Sequence, residues 1–254
     1  MTYNPALQKV LELQKNILNI HPLFANPYPI AIVEGDTFLV FDVDTARKAY
    51  HLVRKAPTPM PIPVGVRAAF DLECYDNKIA CVVTGEVFEA LDGYVTIFHE
   101  FVHCYQASTC ELKLKQSLEV ARQAMAAGNY MWEIEHPFPY DSPDFIEIYA
   151  ALLQAVDANQ GEEALRAHRK LRKFLTSLDI EYLVWQEWKE GFARWIENRL
   201  QWQFNLLENH YGRQKPYHRI TLYEGGAGII AALSQDKPEL TNNLEDLFWS
   251  IQHA

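Results

Sequence analysis

His99-Glu100-Phe101-Val102-His103 sets two histidines four positions apart, with a glutamate between them, inside a markedly apolar stretch of the chain. Tyr94, Val95, Phe98, Phe101, Val102 and Tyr105 follow the i, i+4, i+7 spacing of one helical face, and no Pro or Gly interrupts the run after Gly93. The spacing predicts a largely buried helix, with Asp92 as its N-cap. Residues four apart stand one turn above each other, so His99 and His103 point to one side, flanking the apolar stripe. One buried histidine is commonly satisfied by a backbone carbonyl. Two at this spacing, with a glutamate beside them, need a stronger partner. A divalent metal held by both imidazoles meets that need, and Glu100, about 100° round the helix from His99, is placed as a base beside a metal-activated water.

Catalytic zinc normally keeps three protein ligands. The long metzincin form of the motif is excluded, because Gln106 and Thr109 stand where it requires Gly and His. The best remaining candidate is Glu190, in the segment Trp185-Gln186-Glu187-Trp188-Lys189-Glu190-Gly191-Phe192-Ala193-Arg194-Trp195-Ile196-Glu197. Leu183, Trp188, Phe192, Trp195 and Leu200 make this a strongly apolar helix, and Gly191 and Ala193 allow close approach of a neighbour. A carboxylate on such a helix is costly unless it is paired or bound to metal. An ion pair of Glu190 with Arg194 or Arg199 is the competing explanation, and Glu187 and Glu197 are alternative carboxylates on the same segment.

HEFVH followed by EGFARWIE resembles the gluzincins, the thermolysin-related zinc peptidases, and more closely the peptidase MA-like group, where a second helix reading E-G-x-A-x-x-x-E follows the HExxH helix. The resemblance covers two helices and, loosely, a third. It implies that His99, His103 and Glu190 bind one zinc ion per chain, that Glu100 is the catalytic base, and that Glu197 stands behind the ligands. It also implies a tyrosine before a small-residue helix. Leu222-Tyr223-Glu224-Gly225-Gly226-Ala227-Gly228 fits, which makes Tyr223 the candidate for stabilising the oxyanion, with His218 as the alternative. Thermolysin places an acidic residue four positions after its ligand glutamate, whereas this chain has Arg194, and the interval from His103 to Glu190 suggests an inserted helical segment.

The rest of the chain reads as an α+β fold, predominantly helical and zincin-like: a small N-terminal sheet packed on the HExxH helix, then a helical C-terminal half. Residues 5–19 form an amphipathic helix. Pro29 to Val33 and Thr37 to Val43 form a hairpin, residues 45–55 a short helix, and Val66 to Cys74 and Ile79 to Val87 a second strand pair. Four prolines between Pro57 and Pro63 mark an extended connector. From residue 91 the pattern is helical, broken near 129–142 and 211–220; the aromatic, proline-punctuated first break is a loop packed on the core. His136, His210 and His218 read as surface or structural. Two lobes are expected, 1–110 with the sheet and HExxH helix and 111–254 supplying the third ligand, or one continuous domain.

A 254-residue chain with 49% hydrophobic residues can bury a sizeable core. Its net charge of −10, with no sustained basic cluster, argues against nucleic acid as a partner. No run reaches the roughly 20 apolar residues that span a bilayer, and no signal-peptide pattern opens the chain. Cys74, Cys81, Cys104 and Cys110 show no CxxC pairing, which favours reduced thiols and a cytoplasmic setting. These readings converge on a zinc-dependent metallopeptidase acting on a peptide or protein substrate through a glutamate-activated water, endopeptidase action being mildly favoured. The alternatives are a non-proteolytic zincin-fold binding or regulatory module and a zinc hydrolase with a non-peptide substrate.

Overall fold

The computed structural model describes residues 3–44 and 46–254. The fold is α+β and mostly helical, with one five-stranded sheet. The chain divides into two compact units, Met1–Ser108 with Ile196–Glu208, and Thr109–Trp195 with Asn209–Ala254.

In the first unit, α1 (Asn4–Asn16) precedes the strands β1 (Ile30–Glu34), β2 (Thr37–Asp44), β3 (Ala49–Pro57), β4 (Arg67–Leu72) and β5 (Lys78–Thr84), followed by α2 (Leu91–Gln106). The sheet order is β3-β2-β1-β5-β4; β1 and β5 run parallel and every other pairing is antiparallel. The period-2 alternation of β-branched and aromatic residues gives the sheet two apolar faces. Ala31, Val33, Phe38, Val40, Ala80 and Val82 pack together on one face, and Ile62 from the proline-rich stretch and Val66 just after it lie against them. That stretch is therefore a cover for the sheet. β4 and β5 pack against α2, the HExxH helix. Phe98 and Phe101 of α2 meet Phe24 and Tyr28 edge-on, at ring separations of 5.7 and 5.5 Å.

Three local expectations are corrected. Residues 49–57 form β3, where a helix over 45–55 was expected; Thr45 itself lies outside the described residues. Ala, Lys and Arg give this stretch helix-forming composition, but pairing with β2 along its length decides the outcome. The N-cap of α2 is Ala90. Asp92 lies in the first turn, where its Oδ1 accepts from the Gly93 amide and its charge suits the helix N-terminus. The first helix also stops at Asn16, three residues short of the expected end.

The second unit comprises α3 (Leu112–Ser117), α4 (Glu119–Ala126), the single-turn α5 (Trp132–Glu135), α6 (Pro143–Asp157) and α7 (Gly161–Leu171). It is completed by most of α8 (Ser177–Gln203), α9 (Arg219–Asp236) and α10 (Leu244–His253). α6, α7 and α9 pack on one another. α8 and α9 approach to backbone contact: a Cβ on Gly191 would stand 2.7 Å from Gly226 Cα, and one on Gly226 would stand 2.6 Å from Glu187 Cα. Only glycine at both positions allows so close a crossing. The aromatic break that contains α5 is held down by partly buried charge. Glu133 accepts from Lys115 at 2.6 Å, Lys189 at 2.9 Å and the Trp185 indole at 3.0 Å, and Lys189 also meets Glu111 at 2.7 Å. Burial alone would raise the Glu133 carboxyl; Lys189 and Lys115 outweigh it and hold the pKa down at about 2.

Candidate metal centre

The HExxH residues fall on consecutive turns of α2, as helical spacing requires, and each histidine is tied from behind. His99 Nδ1 lies 2.9 Å from Glu197 Oε2, and His103 Nδ1 lies 2.9 Å from Gln106 Oε1. A carboxylate and an amide oxygen only accept, so both imidazoles carry their proton on Nδ1 and present the Nε2 lone pair forward. The two Nε2 atoms are 3.2 Å apart. Two lone pairs directed into one space repel unless a proton or a cation shares them. Two nitrogens bound about 2.0–2.1 Å from one tetrahedral zinc would be separated by about 3.3 Å.

Glu190 and Glu197 are seven residues apart on the unbroken helix α8, so they share a face two turns apart. Ligand atoms from His99, His103 and Glu190 all lie within 4.8 Å of one another. Two neutral nitrogens and one carboxylate oxygen form the donor set that suits a zinc ion with a position left for water. The residues present therefore fit the metal that the sequence implied.

The other carboxylates on α8 are engaged differently. Glu187 is fully buried, with Oε2 at 2.8 Å from His168 Nε2 and Oε1 accepting from Tyr149 at 3.3 Å. It anchors the core of the second unit. Glu197 supports His99. Arg194 donates to the Asn209 and Tyr211 carbonyls at 2.8 and 3.3 Å and pairs with Glu224 at 3.5 Å.

Glu100 is 5% exposed. Its carboxylate stands near β5, where burial first and Glu100 second push the Cys81 thiol well up. Cys104 is fully buried in α2 and, like the other three cysteines, forms no disulfide.

Tyr223 lies in the second turn of α9, four residues after Arg219, and not at a helix entrance, because the helix starts at Arg219. The Arg219 guanidinium stacks over the Tyr223 ring at 5.3 Å, and its Nη1 donates to the Tyr223 hydroxyl. Since a guanidinium cannot accept, the phenolic proton must point elsewhere. Burial, then the Glu190 charge, raise the phenol far above its ordinary pKa, so Tyr223 keeps its proton. It is a donor and not a base.

His218 caps α9: its Nδ1 accepts from the Ile220 amide at 3.3 Å, while its own amide donates to Thr221 Oγ1 at 3.1 Å. His136 lies 2.9 Å from Asp179 and stacks on Tyr182 at 4.5 Å; His210 lies 2.8 Å from Glu224. Arg219 was missed by sequence reasoning. Its only signal was a helical i, i+4 spacing to Tyr223.

No family model, no curated protein and no solved structure matches the chain. Among the described residues, no helix is long and apolar enough to cross a membrane.

Proposed function

We propose that this chain is a zinc metallopeptidase of the gluzincin type, zincin-like in fold, with His99, His103 and Glu190 holding one zinc ion. The reading is carried by one observation: two tautomer-fixed imidazoles and a carboxylate gather their ligand atoms within 4.8 Å. Zinc bound there would polarise the scissile carbonyl and bring the pKa of a water from about 15.7 toward 7. Glu100, adjacent in sequence to the ligand His99 and shielded from solvent, takes the proton from that water on a carboxylate oxygen and passes it to the leaving nitrogen. Tyr223, with its hydroxyl oxygen already accepting from Arg219, turns its proton toward the oxyanion that develops on the carbonyl oxygen. Glu197 and Gln106 keep the two imidazoles oriented throughout. Four cysteines without a disulfide favour a cytoplasmic setting for this activity.

The test separates binding from chemistry. Glu100→Gln preserves size and all three ligands, so zinc content stays at the wild-type level. Cleavage of a peptide-library substrate falls by roughly 10²-fold or more, the scale of general acid–base catalysis. Undiminished cleavage by Glu100→Gln would end this mechanism.

A further inference from the structure

In the second unit, Arg219 is a partly buried cation lying over the Tyr223 ring. Arg194 meets Glu224 at 3.5 Å and Arg213 is matched by Asp157 and Glu224, whereas Arg172 donates to the Gln252 carbonyl. Arg219 forms no ion pair among the described residues. Its Nη1 is committed to the Tyr223 hydroxyl, and its Nη2 and Nε make no hydrogen bond among them.

Three tyrosines stand around Arg219. Tyr140 donates toward the Tyr182 hydroxyl at 3.4 Å, and Tyr182 donates to the Glu133 carbonyl at 3.2 Å. Burial keeps Tyr140, Tyr182 and Tyr223 protonated, and all three stand close enough to Arg219 to feel its charge. The Glu190 charge pushes Tyr182 and Tyr223 up where Arg219 pushes them down, so Glu190 is an acid of this neighbourhood. Once Glu190 is committed to a metal, the guanidinium retains an unneutralised charge among aromatic rings. A planar fork with unused donors beside aromatic rings suits a carboxylate that arrives from outside the chain.

We propose that Arg219 is a specificity-determining residue that receives a carboxylate of the peptide substrate, either its C-terminal carboxylate or an acidic side chain beside the cleaved bond. This rests on the zinc-peptidase reading, and its test must tell the two apart. The full chain loaded with zinc would be titrated calorimetrically with four mercaptoacetyl-dipeptides, whose thiol addresses zinc. Mercaptoacetyl-Leu-Ala as free acid and as amide tests the terminal carboxylate. Mercaptoacetyl-Glu-Ala-amide and mercaptoacetyl-Gln-Ala-amide test the side chain.

The wild type should favour one carboxylate-bearing probe over its neutral twin by about 10-fold or more. Arg219→Gln should reduce that preference below about 2-fold with zinc content unchanged, and Arg219→Lys should retain part of it, which guards against a folding artefact. Equal binding of acid and neutral probes by the wild type would overturn the proposal and leave the zinc reading standing. So would an undiminished preference in Arg219→Gln, or zinc-loaded protein that takes none of the probes. Failure of the wild type to hold zinc would overturn both.

Discussion

Gly191 and Gly226 meet backbone to backbone where α8 crosses α9, with 2.7 Å between an imagined Gly191 Cβ and Gly226 Cα. The crossing fixes the register of the helix carrying Glu190 against the helix carrying Tyr223. A methyl group at either glycine must push the helices apart, because the atoms it meets belong to backbone and cannot rotate away. Gly226→Ala is expected to cost about 1–3 kcal/mol, several degrees of melting temperature for a chain of this size, read by thermal denaturation. An unchanged melting temperature would show that the crossing yields easily.

Glu197 acts on the site through His99. Removing its carboxylate leaves the three proposed ligands present but frees the His99 ring to turn and to change tautomer. Glu197→Ala is expected to weaken zinc binding by about 10–100-fold in a chelator competition, while secondary structure persists. Glu197→Gln, which still offers an oxygen, should fall between. An affinity equal to wild type in Glu197→Ala would remove Glu197 from the account.

Acid stability should report on Glu133. Its folded pKa of about 2 lies below the ordinary 4.5, because Lys189 and Lys115 outweigh the cost of burial. A depressed carboxylate contributes stability that is present above pH 4.5 and lost as pH falls toward 2. The stability advantage of wild type over Glu133→Gln, measured by urea unfolding, should therefore shrink by about 2 kcal/mol between pH 6 and pH 3. A difference independent of pH would mean that the Lys189 and Lys115 contacts do not hold the carboxylate ionised.

What could be read from the sequence was whatever depended on local period. The hairpin of β1 and β2 and the HExxH helix follow from alternation of 2 and of 3.6 residues, and both come from short, unbroken apolar patterns. β3 was not legible, because Ala49–Pro57 is rich in helix formers and its strand pairing is made with β2, outside its own local pattern, at the sheet edge. Contacts between distant segments were equally hidden. Nothing local links Glu133 to Lys189, or Arg172 to Gln252. The return of Ile196–Glu208 to the first unit is masked by a helix that continues from Ser177 to Gln203 without a break. At the site, Glu190 and Glu197 were visible through their seven-residue spacing, whereas the diversion of Glu187 to His168 required the packed core.

Metal content reports on the site most directly. Purified protein, saturated with zinc and dialysed, would be analysed for metal by inductively coupled plasma mass spectrometry alongside Glu190→Gln and Glu187→Gln. About one zinc per chain is expected in the wild type and in Glu187→Gln, and a sharp loss in Glu190→Gln, where the carboxylate charge is gone. Folded wild-type protein without zinc, or full occupancy in Glu190→Gln with loss in Glu187→Gln, would contradict the proposed site.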